Sequence, residues 1–177
     1  MSICVVEKAL HLKGEVVELR SFAPENLTES YIGWLTDPQL MRFSNQRFRV
    51  HNMESCRAYM ASFANTDNLF IAIYHEAVFI GTMTAYRSTA HGTADIGLLI
   101  GSGSQGKGLG KDAWATLVAH LLATGTRKVT GGTLRCNTTM LRIMQSCGMQ
   151  ADGVRVAQEL VDGVAQDMLH FAKFAQA

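Results

Sequence analysis

Ala94-Asp95-Ile96-Gly97-Leu98-Leu99-Ile100 runs directly into Gly101-Ser102-Gly103-Ser104-Gln105-Gly106-Lys107-Gly108-Leu109-Gly110-Lys111. The first run is β-branched and apolar enough for a strand. After the glycines, Leu109, Ala113, Leu117 and Leu121 recur every four residues beside Trp114, Val118 and Leu122, the pattern of a core-facing helix from Lys111 to Thr124. A glycine-rich turn between a strand and a helix start brings backbone N–H groups and the positive helix end to one place, which is how proteins hold phosphate. Glycines let the backbone approach an anion closely, and Lys107 and Lys111 add charge.

Two common phosphate motifs fail at named positions. Gly101 to Lys107 approaches the nucleoside-triphosphate loop, but that loop needs Ser or Thr after its lysine to hold magnesium, and Gly108 stands there. The dinucleotide fingerprint needs a third glycine three positions after the second, whereas Gly106, Gly108 and Gly110 are spaced by two.

Gln105-Gly106-Lys107-Gly108-Leu109-Gly110 does match the Gln/Arg-x-x-Gly-x-Gly/Ala motif of the GNAT N-acetyltransferases. Asp112-Ala113 after it, the strand at Ala94 to Ile100 before it, and the later Asn137 and Gly148-Met149 also resemble that family, so the likeness covers residues 94 to 149. Tyr31-Ile32-Gly33-Trp34-Leu35-Thr36-Asp37-Pro38 resembles the first helix of the branch that includes ribosomal-protein and amino-sugar acetyltransferases.

The resemblance implies an α/β (α+β) GNAT fold, a mixed, mostly antiparallel sheet with splayed central strands flanked by helices, and acetyl-CoA as co-substrate. It places pantetheine between the strands at Ala94 to Ile100 and Lys128 to Leu134, against main-chain groups of Leu98, Leu99 and Ile100. The pyrophosphate then falls to Gln105, Gly106, Lys107, Gly108, Leu109, Gly110 and Lys111, with Asn137 as a second wall. An N–H near Ile100, where this strand bulges in the family, is the expected oxyanion donor. Asp95, the one carboxylate on that strand, is the expected base, with Glu54 as a remoter candidate. The serine that often protonates the leaving thiolate is replaced by Met140, and no tyrosine follows Tyr86. A thiol of pKa about 8.5 leaves without one at modest cost. No base and orienting group can be read around Cys136, which favours direct transfer to an amine.

The remaining chain is consistent with one domain over residues 1–177. Composition is that of an ordinary globular protein, 47% apolar and 18% charged, and a net charge of +1 offers no footprint for a nucleic-acid duplex. No apolar run has the length of a membrane span or a signal peptide, which places the protein in the cytoplasm. Cys4, Cys56, Cys136 and Cys147 are too dispersed for a zinc ribbon or a disulfide framework, so reduced, buried thiols and no metal are expected.

Strands are expected at Val16 to Ser21, Leu69 to Tyr74, Val78 to Tyr86, Lys128 to Leu134, Val154 to Val161 and Val164 to Phe174, with hairpin turns at His75-Glu76-Ala77 and Asp162-Gly163. Helices are expected from Ala23-Pro24 to Asp37-Pro38, from an Asn52 N-cap, and from Thr138 to Ser146. The acceptor site falls to the first two helices, the loop between them and the end of the hairpin, where Asn45, Gln46, Arg47, Tyr86 and Arg87 can bind a sugar hydroxyl or phosphate. A small-molecule amine is the expected acceptor, first an amino-sugar or sugar nucleotide, second a protein N-terminal amine. A non-catalytic acyl-CoA sensor is the competing class, and family membership allows a homodimer.

Overall fold

The computed structural model describes residues 9–176. Its centre is an eight-stranded sheet in the order β1-β2-β3-β4-β5-β6-β8-β7: β1 His11–Lys13, β2 Glu18–Ser21, β3 Leu69–His75, β4 Val78–Ser88, β5 Thr93–Ile100, β6 Lys128–Leu134, β7 Gln150–Val161 and β8 Val164–Phe174. Every neighbouring pair is antiparallel except β5 and β6. That one parallel pair spans only Thr93–Asp95 against Lys128–Thr130, while β6 stays paired to β8 through Leu134. β5 and β6 therefore part, and the gap between them organises the molecule.

The helices form for local reasons. Thr28 caps α1 (Glu29–Thr36) by accepting the Tyr31 N–H at 3.1 Å, and Asp37, as the residue before a proline, ends it. Asn52 and Ser55 cap α2 (Met53–Ala61) reciprocally, each side chain accepting the other's backbone N–H at 2.8 and 3.0 Å. Glu76 and Ala77 both have positive φ, as do Asp162 and Gly163, so each hairpin closes through a two-residue turn whose twist suits its strands.

The two sheet faces are covered differently. α3 (Leu109–Ala123) and α4 (Thr138–Ser146) lie on one face, where Leu109, Ala113, Trp114, Leu117, Val118 and Leu121 are buried; a large side chain so buried stabilises by about 2 kcal/mol. Trp114 requires Gly131 beneath it, since a Cβ there would lie 2.8 Å from two ring atoms. Its Nε1–H donates to the Met149 sulfur at 3.1 Å, and Met149 follows Gly148, whose positive φ turns the chain out of α4. α1 and α2 cover the other face around Phe22, Tyr31 and Phe70.

Several expectations need correction. The first strand is confined to Glu18–Ser21 and pairs with an unforeseen β1, because polar His11–Lys13 has no alternating apolar pattern to reveal it. Pro24–Asn26 is a separate 3-10 turn before α1, and β7 begins as early as Gln150. The bulge expected near Ile100 is absent: β4 and β5 pair without a register shift from Gly81–Ile100 to Ser88–Thr93. Cys56 and Cys147 are buried free thiols and Cys136 is a half-buried one, whereas Cys4 lies outside the described residues. Among the described residues no helix is long and apolar enough to cross a membrane.

Candidate active site

The gap between β5 and β6 opens into a cleft of about 1260 Å³. Strand alternation determines which main-chain groups face it. Gly101 N–H donates to Ile80 O on β4 at 2.8 Å, so odd-numbered β5 residues turn their backbone to β4 and even-numbered ones turn theirs toward β6. Beyond Asp95 there is no β6 to meet them. Leu98 and Ile100 thus direct main-chain groups into the gap, while the Leu99 backbone is turned to β4, although Leu99 also lines the cleft. On the opposite wall Arg135 N–H bonds Asp167 O on β8, which by the same alternation turns the backbone of Gly132 into the gap.

One end of the cleft is the glycine-rich loop. Gly106 and Gly108 have φ of 75° and 78°, and nothing lies near either Cβ position. The Gly108 carbonyl accepts the Lys111 and Asp112 N–H groups, but among the described residues the N–H groups from Gln105 to Gly110 meet no protein acceptor. These orphaned donors at the start of α3 form an anion cradle. Gly110 lets α3 approach the sheet, because a Cβ there would lie 3.3 to 3.4 Å from Leu98, Ile100 and Ile143.

The loop side chains differ in what they hold. Gln105 ties the loop to its strand by donating from Nε2 to Ile100 O at 3.2 Å. Lys107 donates to Gly103 O at 3.3 Å and is not part of the cleft lining, whereas Lys111 is; Leu109 is buried in the core. Asn137 caps α4 by accepting the Met140 N–H at 3.3 Å, which leaves its amide NH₂ as a donor at the cleft wall. Asp112 serves the fold, because its carboxylate accepts the N–H groups of Glu15, Val16 and Val17 at 3.0, 2.8 and 3.0 Å and so joins α3 to the turn before β2.

Asp95 sits where the two strands separate. Its carboxylate accepts a hydrogen bond from Thr130 Oγ1 at 2.7 Å, and it shares a sheet face with Gly97 and Leu99 without itself lining the cleft. Its cross-strand neighbour Tyr86 shares a hydroxyl–hydroxyl bond of 2.8 Å with Tyr59, which does line the cleft. Glu54 is exposed at the start of α2, outside the lining.

The far end is built from the connection between α1 and α2 and from the tip of the β7–β8 hairpin. Arg42 pairs with Asp162 at 2.7 Å, Asn45 Nδ2 donates to Glu159 at 2.9 Å, and Arg47 donates to Leu160 O at 3.0 Å. Leu35, Leu40, Met41, Phe43 and Val50 line this end, with Asp37 and Glu159 as its carboxylates. Burial raises the phenol pKa of Tyr31 and of Tyr59 well above the ordinary tyrosine range, so both hydroxyls stay protonated. Asn45 and Gln46 line the cleft as expected, Arg47 serves the hairpin contact, and Tyr86 and Arg87 stand outside. Glu159 and Arg49 were not foreseen. Nothing in the local pattern marks Glu159, which reaches the cleft only because the hairpin folds back on residues distant in the chain.

The family model for the acetyltransferase (GNAT) domain matches residues 17–150. The chain belongs to the GNAT acetyltransferase family. This GNAT protein is an acetyl-CoA-dependent N-acetyltransferase. Its fold is similar to that of RimL, the ribosomal L7/L12 alpha-N-protein acetyltransferase, solved with coenzyme A (TM-score 0.81, 14% identity, covering 94% of this chain and 98% of that one). It is likewise similar to RimJ of Mycobacterium smegmatis (TM-score 0.78, 21% identity, 94% and 87%). A third likeness is to the spermidine N-acetyltransferase of Vibrio cholerae, solved with CoA and spermine (TM-score 0.80, 14% identity, 90% and 95%). No curated protein matches the sequence. The mixed, mostly antiparallel sheet with its parted centre is the expected GNAT architecture.

Proposed function

We propose that this acetyltransferase modifies the α-amine of a polypeptide, with acetyl-CoA held along β5 and on the glycine-rich loop. The observation that carries the reading is the cleft itself, which joins a cradle of unpartnered amides to a second end with both apolar and polar walls. Those amides, from Gln105 to Gly110, fit a pyrophosphate; Lys111 and Asn137 flank it, and Leu98 and Ile100 offer main-chain partners to an extended pantetheine arm. Either of their N–H groups suits the oxyanion that forms when the amine attacks the thioester carbonyl, a contact worth ~3 kcal/mol.

The far end supports an α-amine. Leu35, Met41, Phe43 and Val50 offer apolar surface suited to peptide side chains, while Gln39, Ser44, Asn45, Gln46 and Arg49 beside them offer polar partners to a peptide backbone. Acid–base chemistry favours an α-amine over a lysine or polyamine amine. An α-amine of pKa near 7.8 is about one quarter neutral at pH 7.4, while an alkylamine of pKa near 10.4 is neutral in only about one molecule in a thousand. Glu159 lines the cleft and is the candidate proton acceptor; Asp95, on the sheet face of Gly97 but outside the lining, could act only through water. The RimL and RimJ likenesses, which act as models of fold alone, are compatible with this acceptor class.

The test incubates the enzyme and acetyl-CoA with peptides bearing a free α-amine, the same peptides α-blocked with a free lysine, polyamines, and amino-sugar nucleotides, and reads products by mass. Acetylation confined to free α-amines is the expected result. Product on the sugar nucleotides or polyamines alone would replace the acceptor. CoA binding with no product on any of them would favour a non-catalytic acyl-CoA module.

A further inference from the structure

Coenzyme A carries, besides its pyrophosphate, a ribose 3′-phosphomonoester of charge about −1.5 to −2, and backbone amides at one helix start cannot neutralise both. We propose that Arg142 on α4 binds that 3′-phosphate and makes the protein select CoA over dephospho-CoA. This rests on the cofactor placement above.

Among the described residues, three Lys or Arg side chains line the cleft: Arg49, Lys111 and Arg142. Arg49 lies at the far end, between α1 and α2. Lys111 belongs to the first turn of α3, beside the pyrophosphate cradle, and Lys107 is turned to Gly103 O. Arg142 is the cation on the other element that meets this end of the cleft.

Its position follows from helix geometry. Thr139, Met140, Arg142 and Ile143 form one stripe of α4 along the cleft, beginning just after the Asn137 cap. The stripe is fixed to the loop by Ile143, whose Cδ1 would lie 3.4 Å from a Cβ on Gly110. Arg142, next to Ile143 and exposed, therefore belongs to the part of α4 that lines the cleft by the first turn of α3, within the reach proposed for a group tethered to the pyrophosphate. Among the described residues it makes no ion pair or side-chain hydrogen bond, so its guanidinium fork is free to take two phosphate oxygens.

Calorimetric titration of the wild type and of Arg142→Gln with CoA and with dephospho-CoA tests the assignment without any acceptor. The wild type should bind CoA about tenfold more tightly than dephospho-CoA, the scale of one charge-assisted contact at an exposed site. Arg142→Gln should lose about that factor for CoA and nothing for dephospho-CoA, whose unchanged affinity also shows that the variant folds; Arg142→Lys should recover part of the preference. Equal weakening of both ligands, or a preference that survives in Arg142→Gln, overturns the proposal. If the wild type binds neither ligand, the cofactor placement fails and the proposal falls with it.

Discussion

Gly108 is the residue at which the cofactor loop can be perturbed with the least ambiguity. Its φ of 78° belongs to the left-handed region, and nothing lies within 4 Å of a Cβ built on it, so substitution adds backbone strain without a clash. For an ordinary L-residue that strain is about 1–2 kcal/mol; asparagine tolerates the conformation better, and a β-branched residue worse. In the series Gly108→Asn, Gly108→Ala and Gly108→Val the cost should therefore rise in that order. If the loop keeps its shape, the Ala variant pays in global stability, and at about 2–4 °C per kcal/mol for a chain of this size the melting temperature falls by roughly 2–8 °C. If the loop relaxes instead, the cradle is lost and CoA affinity falls, by about 5- to 30-fold for the same energy, since tenfold costs about 1.4 kcal/mol. Melting curves and CoA titrations on the four proteins measure both channels together. An Ala variant unchanged in both, or a Val variant no worse than Asn, would refute the assignment of loop strain to Gly108.

Asp112→Ala removes the acceptor of three N–H groups from the Glu15–Val17 turn and should destabilise by about 1–3 kcal/mol, discounted for partial exposure, with CoA affinity almost unchanged; Asn should restore part of the loss. Glu159→Gln should lower kcat/KM on the best acceptor by at least about 10²-fold and by more than Asp95→Asn does, and the reverse order would return the base to Asp95. The Asp167 carboxyl is held below the usual carboxylate range, first by the Ala157 N–H at 2.9 Å and then by Arg135. Because its folded-state pKa is the lowered one, its contribution is complete above the unfolded value near 3.9 and fades as pH falls through the folded value. The protection factor of the Ala157 amide, corrected for the pH dependence of intrinsic exchange, should accordingly hold at neutral pH and fall only in that acid window, whereas Asp167→Asn should lower it at neutral pH.

The two ends of the cleft differ in how legible they were, and the reason is chain separation. The cradle arises from consecutive residues, Gln105 to Gly110, whose composition, flanking strand and following helix together state an anion site before any fold is known. The far end joins Asn45 to Glu159 and Arg42 to Asp162 through exposed polar contacts between segments more than a hundred residues apart, and no local pattern couples them. Asp95 and Asp112 show a subtler limit. Both stand beside the loop in sequence, yet the orientation of each depends on a partner on another element, Thr130 for one and the Glu15–Val17 turn for the other. Residue type told that a carboxylate was present, while its role depended on which donors the fold brought to it. By the same logic, acceptor choice in this enzyme should vary with the α1–α2 connection and the hairpin tip, since these can change contacts without disturbing the strand, loop and helix that hold the acyl donor.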